Sequence, residues 1–310
     1  MKISNILVIV DPTATEHPAI DKAVRVATKC DSRIELLACE TKQSRDVRHA
    51  ARLASDDTTG CVVNLRAILE VLAEPIRLQG IDVSLETDTG DPLYRMLLER
   101  IRRGSADLVV KDTHHHSLLK RTFITNTDWY LIRGCPVPLL LTKARAWPQT
   151  PVVAAAIDPG HVYDRPLALD DQILAAARLL ATSLGTSLQV LNAVLPLVMT
   201  EAAGGPLGIG GTLDVRAAVE ACTLRRAELE SLVAAYGVST SNLHVRLGVP
   251  SEVLPELAQE LSAAVLVMGA VSRSGLQRLF IGSTAEQVLE SLPCDALVVK
   301  SPDFAASLPA

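Results

Sequence analysis

Two stretches of the chain decide its fold, because they are copies of one another. Residues 106–143 read ADLVVKDTHHHSLLKRTFITNTDWYLIRGCPVPLLLTK, and residues 263–300 read AAVLVMGAVSRSGLQRLFIGSTAEQVLESLPCDALVVK. The two stretches align without a gap at a constant offset of 157 residues. Identical pairs run along the alignment: Val110 with Val267, Arg121 with Arg278, and Pro136 with Pro293. An ungapped match of this kind indicates an internal duplication.

The duplication extends upstream of these two stretches. Gly90-Asp91-Pro92 in the first copy corresponds to Gly248-Val249-Pro250 in the second, one residue out of register. Near the start of each copy a short apolar run ends in Asp-Pro, at Asp11-Pro12 and at Asp158-Pro159. We therefore divide the 310 residues into two domains of one fold, 1–143 and 151–301, with a short linker near Trp147.

Short apolar runs alternate with amphipathic stretches in both copies. In the first copy we predict strands at 6–10, 34–38, 83–87, 107–110 and 139–142, and helices at 17–29, 59–79, 91–103 and 124–133. In the second copy we predict strands at 152–157, 187–192, 242–247, 264–268 and 296–299, and helices at 170–184, 213–236, 251–261 and 283–291. This alternation is typical of parallel strands joined by right-handed helical crossovers. The predicted fold class is α/β, with two tandem Rossmann-like domains that each have a five-stranded parallel sheet and helices on both faces.

The composition excludes several classes of function. The net charge is −5 and aromatic residues make up 3% of the chain, so neither a basic nor a stacking surface for nucleic acid is indicated. No run approaches the roughly 18 apolar residues that a membrane helix needs, and the first ten residues do not resemble a signal peptide. The six cysteines have no C-x-x-C spacing, which is typical of buried thiols in a reducing compartment. We expect a cytoplasmic protein with neither nucleic acid nor membrane as a partner.

His114, His115 and His116 stand in a row after the fourth strand of the first copy. Imidazoles are good zinc ligands, but three consecutive histidines rarely converge on one ion, and only Asp112 lies near them at ligand spacing. We therefore interpret the three histidines as a solvated loop and predict no metal site. The sequence also has no Ser-His-Asp order, nucleophile elbow or paired carboxylate motif. We accordingly predict no catalytic residues and a protein that is not an enzyme.

A pattern typical of phosphate binding follows the fourth strand of the second copy. That strand ends at Gly269, and the next helix opens with Gly282, Ser283 and Thr284. In parallel sheets ligands bind beyond the carboxyl ends of the strands. A glycine followed by two hydroxyl residues at a helix start offers a phosphate close access, free backbone N–H groups and side-chain donors. The alternative is that Ser283 or Thr284 merely caps the helix.

This region resembles the universal stress proteins. Nucleotide-binding members of that family have Gly-x2-Gly-x9-Gly-Ser/Thr after strand four, and this sequence has Gly269-x2-Ser272-x9-Gly282-Ser283. The residues around the motif and the two Gly-x-Pro landmarks are also similar to the family's, so that the resemblance covers nearly the whole chain, twice. The duplication makes the chain most similar to the tandem members of the E type. The resemblance implies the strand order 3-2-1-4-5 and, as in many members, an ATP site without a catalytic triad.

The resemblance also implies which residues would surround ATP in domain 2. Asp158 would lie near the adenine or the ribose, and the backbone of Ala193 near the base. The residues around the ribose and the phosphates would be Gly269, Ser272, Gly282, Ser283 and Thr284. Ser272 departs from the pattern, because the family has glycine there. If the backbone needs a positive φ at that position, serine is strained or the loop differs.

The first copy lacks the motif. The residues that correspond to Gly269, Ser272, Gly282, Ser283 and Thr284 are Asp112, His115, Thr125, Asn126 and Thr127. The Asp112 carboxylate stands where a phosphate would come, so that both sterics and charge disfavour an anion. We predict that domain 1 has a degenerate nucleotide site and is either structural or differently liganded.

Three functions are compatible with these observations. The first is a stress-response regulatory protein that binds an adenine nucleotide in domain 2. The second is a sensor or carrier of an apolar or acyl-bearing metabolite, and the third is a slow ATPase. The resemblance further implies pairing of the fifth strands, 139–142 and 296–299. That pairing would make one chain a pseudo-dimer, and a homodimer of whole chains and unknown protein partners stay open.

Overall fold

A computed structural model describes residues 2–40, 65–116, 121–159, 168–195, 215–270, 281–302 and 304. The chain forms two compact units that divide between Trp147 and Pro148. Unit 1 consists mainly of the residues before that division, and unit 2 mainly of residues 148–302. Ser272 and part of the predicted helix at 59–79 lie outside the described residues.

Unit 1 is a parallel α/β sheet with helices between its strands. Its main strands are β1 (Asn5–Val10), β2 (Arg33–Glu40), β3 (Val83–Thr89), β4 (Leu108–Asp112) and β7 (Leu139–Thr142). Its helices are α1 (Pro18–Cys30), α2 (Leu65–Arg77), α3 (Leu93–Arg103) and α4 (Asn126–Gly134). β1 pairs with β2 and β4, β2 pairs with β3, and β4 pairs with β7, all of them parallel. The strands therefore lie in the order β3-β2-β1-β4-β7.

Unit 2 repeats this plan. Its strands are β8 (Val152–Ala156), β9 (Leu188–Val194), β10 (Leu243–Leu247), β11 (Ala263–Gly269) and β12 (Asp295–Val299). Its α-helices are α5 (Ala168–Leu184), α6 (Val215–Ala234), α7 (Pro250–Glu260) and α8 (Ser283–Ser291). The parallel pairs β10-β9, β9-β8, β8-β11 and β11-β12 give unit 2 the corresponding order. The predicted fold class is confirmed in both units.

The central strands are buried on both faces, which is why they read as unbroken apolar runs. Every residue of β7, β11 and β12 is buried, and so are the last five residues of β1. Small residues let α1 pack closely on this sheet, because Ala19, Ala23 and Ala27 all face inward. α2 ends at Arg77, and Gly80 follows with a φ of 81°. Its N–H donates to the Arg77 carbonyl at 2.9 Å, and this left-handed turn favours glycine.

A short hairpin shows that the prediction of a loop at the three histidines was wrong. His114–His116 form β5, which pairs antiparallel with β6 (Arg121–Phe123) and brings His115 opposite Thr122. Three residues per strand are too few to show an alternating pattern, so the sequence carried no signal for these strands. The side chains of β5 and β6 lie outside the described part of the chain. β4 also runs two residues further than predicted and includes Asp112.

Candidate functional site

A cavity of about 700 Å³ lies in unit 1, beyond the carboxyl ends of β1, β2 and β4. The first residues of α1, α3 and α4 complete its wall. Part of the lining is apolar and comes from Ile9, Val10, Pro12 and Leu93. Polar groups line the rest, among them Asp11, Glu16, Lys111, Asp112 and Thr125. The cavity thus occupies the place in unit 1 where parallel sheets bind ligands.

Asp112 lines this cavity, and two hydrogen bonds hold its carboxyl group in place. Its Oδ1 accepts a hydrogen bond from the Ala19 N–H at 2.8 Å and another from the Thr142 hydroxyl at 2.6 Å. Because Ala19 lies in the first turn of α1, the carboxylate satisfies a helix N–H that has no partner inside the helix. Burial raises the pKa of Asp112, although the two hydrogen bonds and the nearby Lys22 and His17 oppose that rise. The start of α1 therefore already holds an acidic side chain of this chain.

Asp128 performs the same task at the start of α4. Thr125 and Asp128 form a capping box: the Thr125 hydroxyl accepts from the Asp128 N–H at 3.2 Å, and Asp128 Oδ2 accepts from the Thr125 N–H at 2.8 Å. The other carboxylate oxygen, Oδ1, lies 2.8 Å from the ammonium of Lys111. The Lys111 and Asp128 side chains are 9% and 0% exposed, so this is a buried ion pair. The Lys111 ammonium also donates to the Asp112 carbonyl at 2.9 Å.

One thiol lines the cavity. Burial, together with the nearby Asp88 carboxylate, raises the pKa of Cys39 to about 12. A thiol with so high a pKa is almost entirely protonated at neutral pH and is a poor nucleophile. Cys39 therefore contributes to the cavity as a small, weakly polar wall residue.

Unit 2 lacks this polar network. At the offset of 157 residues, the five residues that correspond to Lys111, Asp112, Thr125, Asp128 and Thr142 are Met268, Gly269, Gly282, Ala285 and Val299. All five replacements remove a charged or hydroxyl group. The two units therefore differ at a set of positions that are in mutual contact in unit 1.

Gly269 ends β11 and is packed tightly against α5. A Cβ added to Gly269 would lie 2.7 Å from Leu169 Cδ2 and 2.9 Å from Leu169 Cγ. Leu169 is 1% exposed, so it has little room to move away. Close packing of helix on strand is therefore a reason for glycine at this position, in addition to the ligand contact that the sequence predicts.

We expect Gly269→Ala to lower the free energy of unfolding of unit 2 by about 1–3 kcal/mol, because the added methyl group overpacks this contact. Chemical denaturation of the full chain measures the change. Gly282→Ser is the matched control, because no described atom lies within 4 Å of a Cβ at Gly282 and serine is a favourable N-cap residue. Equal stability of the two variants would contradict the packing role of Gly269.

The start of α8 differs from the start of α4. Gly282 is the N-cap residue with φ −57° and ψ 141°, and no side chain hydrogen-bonds to the cap. Gly282, Ser283 and Thr284 are all exposed. Since the first N–H groups of a helix have no partner inside it and carry a partial positive charge, this end of α8 is suited to an anion. It follows the connection from β11 and so lies at the carboxyl edge of the sheet.

Asp158 and Ala193 also lie at this edge. The Asp158 N–H donates to Asp170 Oδ1 at 3.2 Å, just after β8. Ala193 lies near the end of β9, opposite Arg246 of β10. Six of the seven predicted residues therefore lie at the carboxyl edge of the sheet of unit 2. The seventh, Ser272, lies outside the described part of the chain.

Asn192 is a buried polar residue that sequence reasoning missed. It is 1% exposed, and its side-chain N–H donates to the Ile157 carbonyl at 2.8 Å. Its Oδ1 has no hydrogen-bond partner among the described residues. The sequence did contain a sign of this buried polar group, namely an asparagine inside the otherwise largely apolar strand Leu188–Val194. Lys111, inside the apolar run of β4, was the same kind of signal in unit 1.

The described part of the chain has neither a candidate metal site nor a candidate membrane-spanning helix. No group of three or more His, Cys, Asp or Glu side chains in it is arranged to hold a metal ion. Its helices include none that is both long enough and apolar enough to cross a membrane.

Two tandem parallel α/β units of the same strand order define the fold class of this protein. The profile of the universal stress protein family matches residues 2–143 and 163–300. Because these segments cover most of both units, the chain belongs to the universal stress protein family.

Similar proteins match nearly the whole length of this chain. The chain is 27% identical to universal stress protein E of Escherichia coli K12 over 308 residues, which are 97% of this chain and 95% of that protein. It is 26% identical to the universal stress protein E homolog of Haemophilus influenzae, covering 97% of this chain and 98% of the relative.

Solved structures agree with this assignment. A protein of unknown function from Pseudomonas aeruginosa PAO1 is 30% identical, with a TM-score of 0.72 and coverage of 98% of this chain and 95% of that one. A universal stress protein from Archaeoglobus fulgidus has a TM-score of 0.64 at 15% identity, over 96% of this chain and 98% of that one, and supports the fold alone.

Proposed function

We propose that this chain is a cytoplasmic stress-response regulatory protein that binds an adenine nucleotide, ATP, in unit 2. The observation that carries the proposal is the open start of α8 at the carboxyl edge of the sheet. There the exposed Gly282-Ser283-Thr284 presents helix N–H groups, and among the described residues no side chain caps this helix start. Binding would act through a change of shape or of partner and not through turnover.

The roles of the site residues follow from this arrangement. The backbone N–H groups at Ser283 and Thr284, with their hydroxyls, would donate to the phosphates. Gly282 leaves the approach open, because no described atom lies within 4 Å of its missing side chain. Asp158 and Ala193, which follow neighbouring strands, would contact the ribose and the base. Gly269, at the end of β11, and Ser272 would lie near the ribose and the phosphates.

The contrast between the two units supports the choice of unit 2. The starts of α1 and α4 in unit 1 each hold a carboxylate of this chain, Asp112 and Asp128. A phosphate would have to displace these groups against their negative charge. At the start of α8 the corresponding positions are Gly269 and Ala285, neither of which carries a charge.

Calorimetric titration of the full chain with ATP, ADP, AMP and adenosine tests the proposal. We expect the affinity to rise from adenosine to ATP, because each added phosphate gains charge-assisted hydrogen bonds at the helix start. The affinity of ATP should also fall as the salt concentration rises. Equal affinity for adenosine and ATP would contradict the role of α8. No heat with any of the four compounds would contradict nucleotide binding.

A further inference from the structure

The cavity of unit 1 has no part in the function proposed above. It has a volume of about 700 Å³, within the range of roughly 300–1,000 Å³ that small-molecule sites occupy. It lies at the carboxyl edge of a parallel sheet, where this class of fold binds its ligands. Its position and size therefore suit a small molecule, and the chemistry of its wall decides which kind.

Carboxylates of this chain already occupy the two helix starts at this cavity. The N–H of Ala19 at the start of α1 donates to Asp112, and the start of α4 is closed by the Thr125–Asp128 capping box. Lys111 is the one ammonium group on the described wall, and it is 2.8 Å from Asp128 Oδ1. The Ala19 N–H and the Lys111 ammonium are thus each already engaged by a carboxylate of this chain, and the Asp128 carboxylate lies at the start of α4 as well.

The electrostatic balance of the cavity is negative. Asp11, Glu16 and Asp112 line it, while the charge of Lys111 is balanced by Asp128. Lys22 and His17 are the other basic groups near Asp112, and the Lys22 ammonium donates to the Lys143 carbonyl at 2.6 Å. Even with Lys22 counted as an ammonium, the described residues that line the cavity or lie beside it supply four carboxylates and two ammonium groups, the carboxylates being those of Asp11, Glu16, Asp112 and Asp128.

One acceptor of this wall is open to a ligand. Both hydrogen bonds to the Asp112 side chain go to Oδ1, so Oδ2 accepts no hydrogen bond from any described residue. Asp112 is held in place by two donors on different elements, Ala19 of α1 and Thr142 of β7. Its carboxylate is therefore a positioned acceptor with one oxygen left for a donor in the cavity.

We propose that the cavity of unit 1 binds a small organic cation, a protonated amine with an apolar body. The ammonium would donate to Asp112 Oδ2, with Asp11 and Glu16 adding attraction at short range. The apolar body would contact the wall formed by Val10 and Leu93. The two units would then bind ligands of opposite charge, since the phosphates of ATP are proposed to bind at the start of α8 in unit 2.

Three compounds that differ only in charge test this proposal. Phenethylamine is the cation, N-acetylphenethylamine its neutral analogue and 3-phenylpropionate its anion. In calorimetry or ligand-observed NMR with the full chain, we expect phenethylamine to bind and the other two to bind at least about tenfold more weakly. Comparable binding of the neutral or the anionic compound, or no binding of the amine, would overturn the proposal.

Asp112→Asn tests the assigned contact. The amide keeps an oxygen that accepts from the Ala19 N–H and the Thr142 hydroxyl, so unit 1 should stay folded. We expect about a ten- to hundredfold loss of phenethylamine affinity, because a charged hydrogen bond becomes a neutral one. Glu252→Gln, an equal loss of charge at an exposed residue of unit 2, is the matched control and should leave the affinity unchanged.

Two further outcomes complete the test. Unchanged affinity in Asp112→Asn would overturn the assignment, and thermal melting shows whether that variant is folded. Repeating the titration with saturating ATP separates this proposal from the one for unit 2. Amine binding that persists whether or not ATP binds supports the cavity as an independent site, whereas competition between the two ligands would overturn it.

Discussion

Asp128→Ala will lower the free energy of unfolding of unit 1 by about 3–5 kcal/mol. The Asp128 side chain is fully buried and lies 2.8 Å from the ammonium of Lys111, which is itself 9% exposed. Removing the carboxylate leaves that ammonium in the interior with one neutral partner, the Asp112 carbonyl. An unpaired buried charge costs far more than the pair contributes, because the ammonium loses both its water and its counter-ion.

The loss of half of a capping box adds to this effect. Asp128 Oδ2 accepts the Thr125 N–H at 2.8 Å, and no side chain remains in the variant to replace it. The Thr125 hydroxyl still caps the N–H of residue 128, so α4 keeps its start. Urea denaturation, followed by far-UV circular dichroism, measures the change in the full chain. We expect two transitions, of which only that of unit 1 shifts.

Lys111→Met with Asp128→Ala is the matched control for this prediction. It places in unit 1 the residues that unit 2 has at the corresponding positions, Met268 and Ala285. Replacing both members of a buried pair by apolar residues is often close to neutral. We therefore expect the double variant to recover most of the stability that the single variant loses. A double variant as unstable as Asp128→Ala would show that the ion pair is not the cause.

The repeat in the sequence was enough to predict the fold. The alternation of apolar runs and amphipathic stretches predicted ten strands of the two parallel sheets, because buried parallel strands consist of continuous apolar residues. The resemblance implied the family, which the profile confirms. The hairpin of β5 and β6 could not be predicted, because its three-residue strands show no periodicity. The pairing of the two fifth strands within one chain stays a prediction.

The site of unit 1 shows where sequence reasoning reaches its limit. The loss of the glycine motif drew attention to Asp112, and its predicted effect on phosphate binding stays a prediction. It did not indicate that Lys111 and Asp128 meet, because 17 positions of chain separate them and only the packing of α4 on the sheet brings them together. Nor could a motif search find the cavity, since its lining residues come from separate strands and helices that are distant in the sequence.

Gly282→Asp will lower the affinity of unit 2 for ATP by about a hundredfold. The residue is the N-cap of α8, where an aspartate accepts the same helix N–H groups that are proposed to hold the phosphates. Its charge would also repel the triphosphate directly. The variant reproduces in unit 2 the arrangement of unit 1, in which a carboxylate of the chain occupies the start of the helix.

The same change should leave the fold intact, which makes loss of binding interpretable. The φ of −57° and ψ of 141° at Gly282 are open to any residue, and no described atom lies within 4 Å of a Cβ there. Aspartate and glycine differ by only a few tenths of a kcal/mol as N-cap residues. We therefore expect the free energy of unfolding of unit 2 to stay within about 0.5 kcal/mol of the wild type, or to rise slightly.

Gly282→Asn is the matched control, because asparagine caps the helix and has the same size without the charge. We expect it to bind ATP more tightly than Gly282→Asp and less tightly than the wild type, whereas adenosine should bind all three proteins alike. Calorimetry with ATP and adenosine on the three proteins measures these affinities. If Gly282→Asp binds ATP like the wild type, the phosphates do not lie at α8, because a fixed negative charge at that helix start is incompatible with a bound triphosphate.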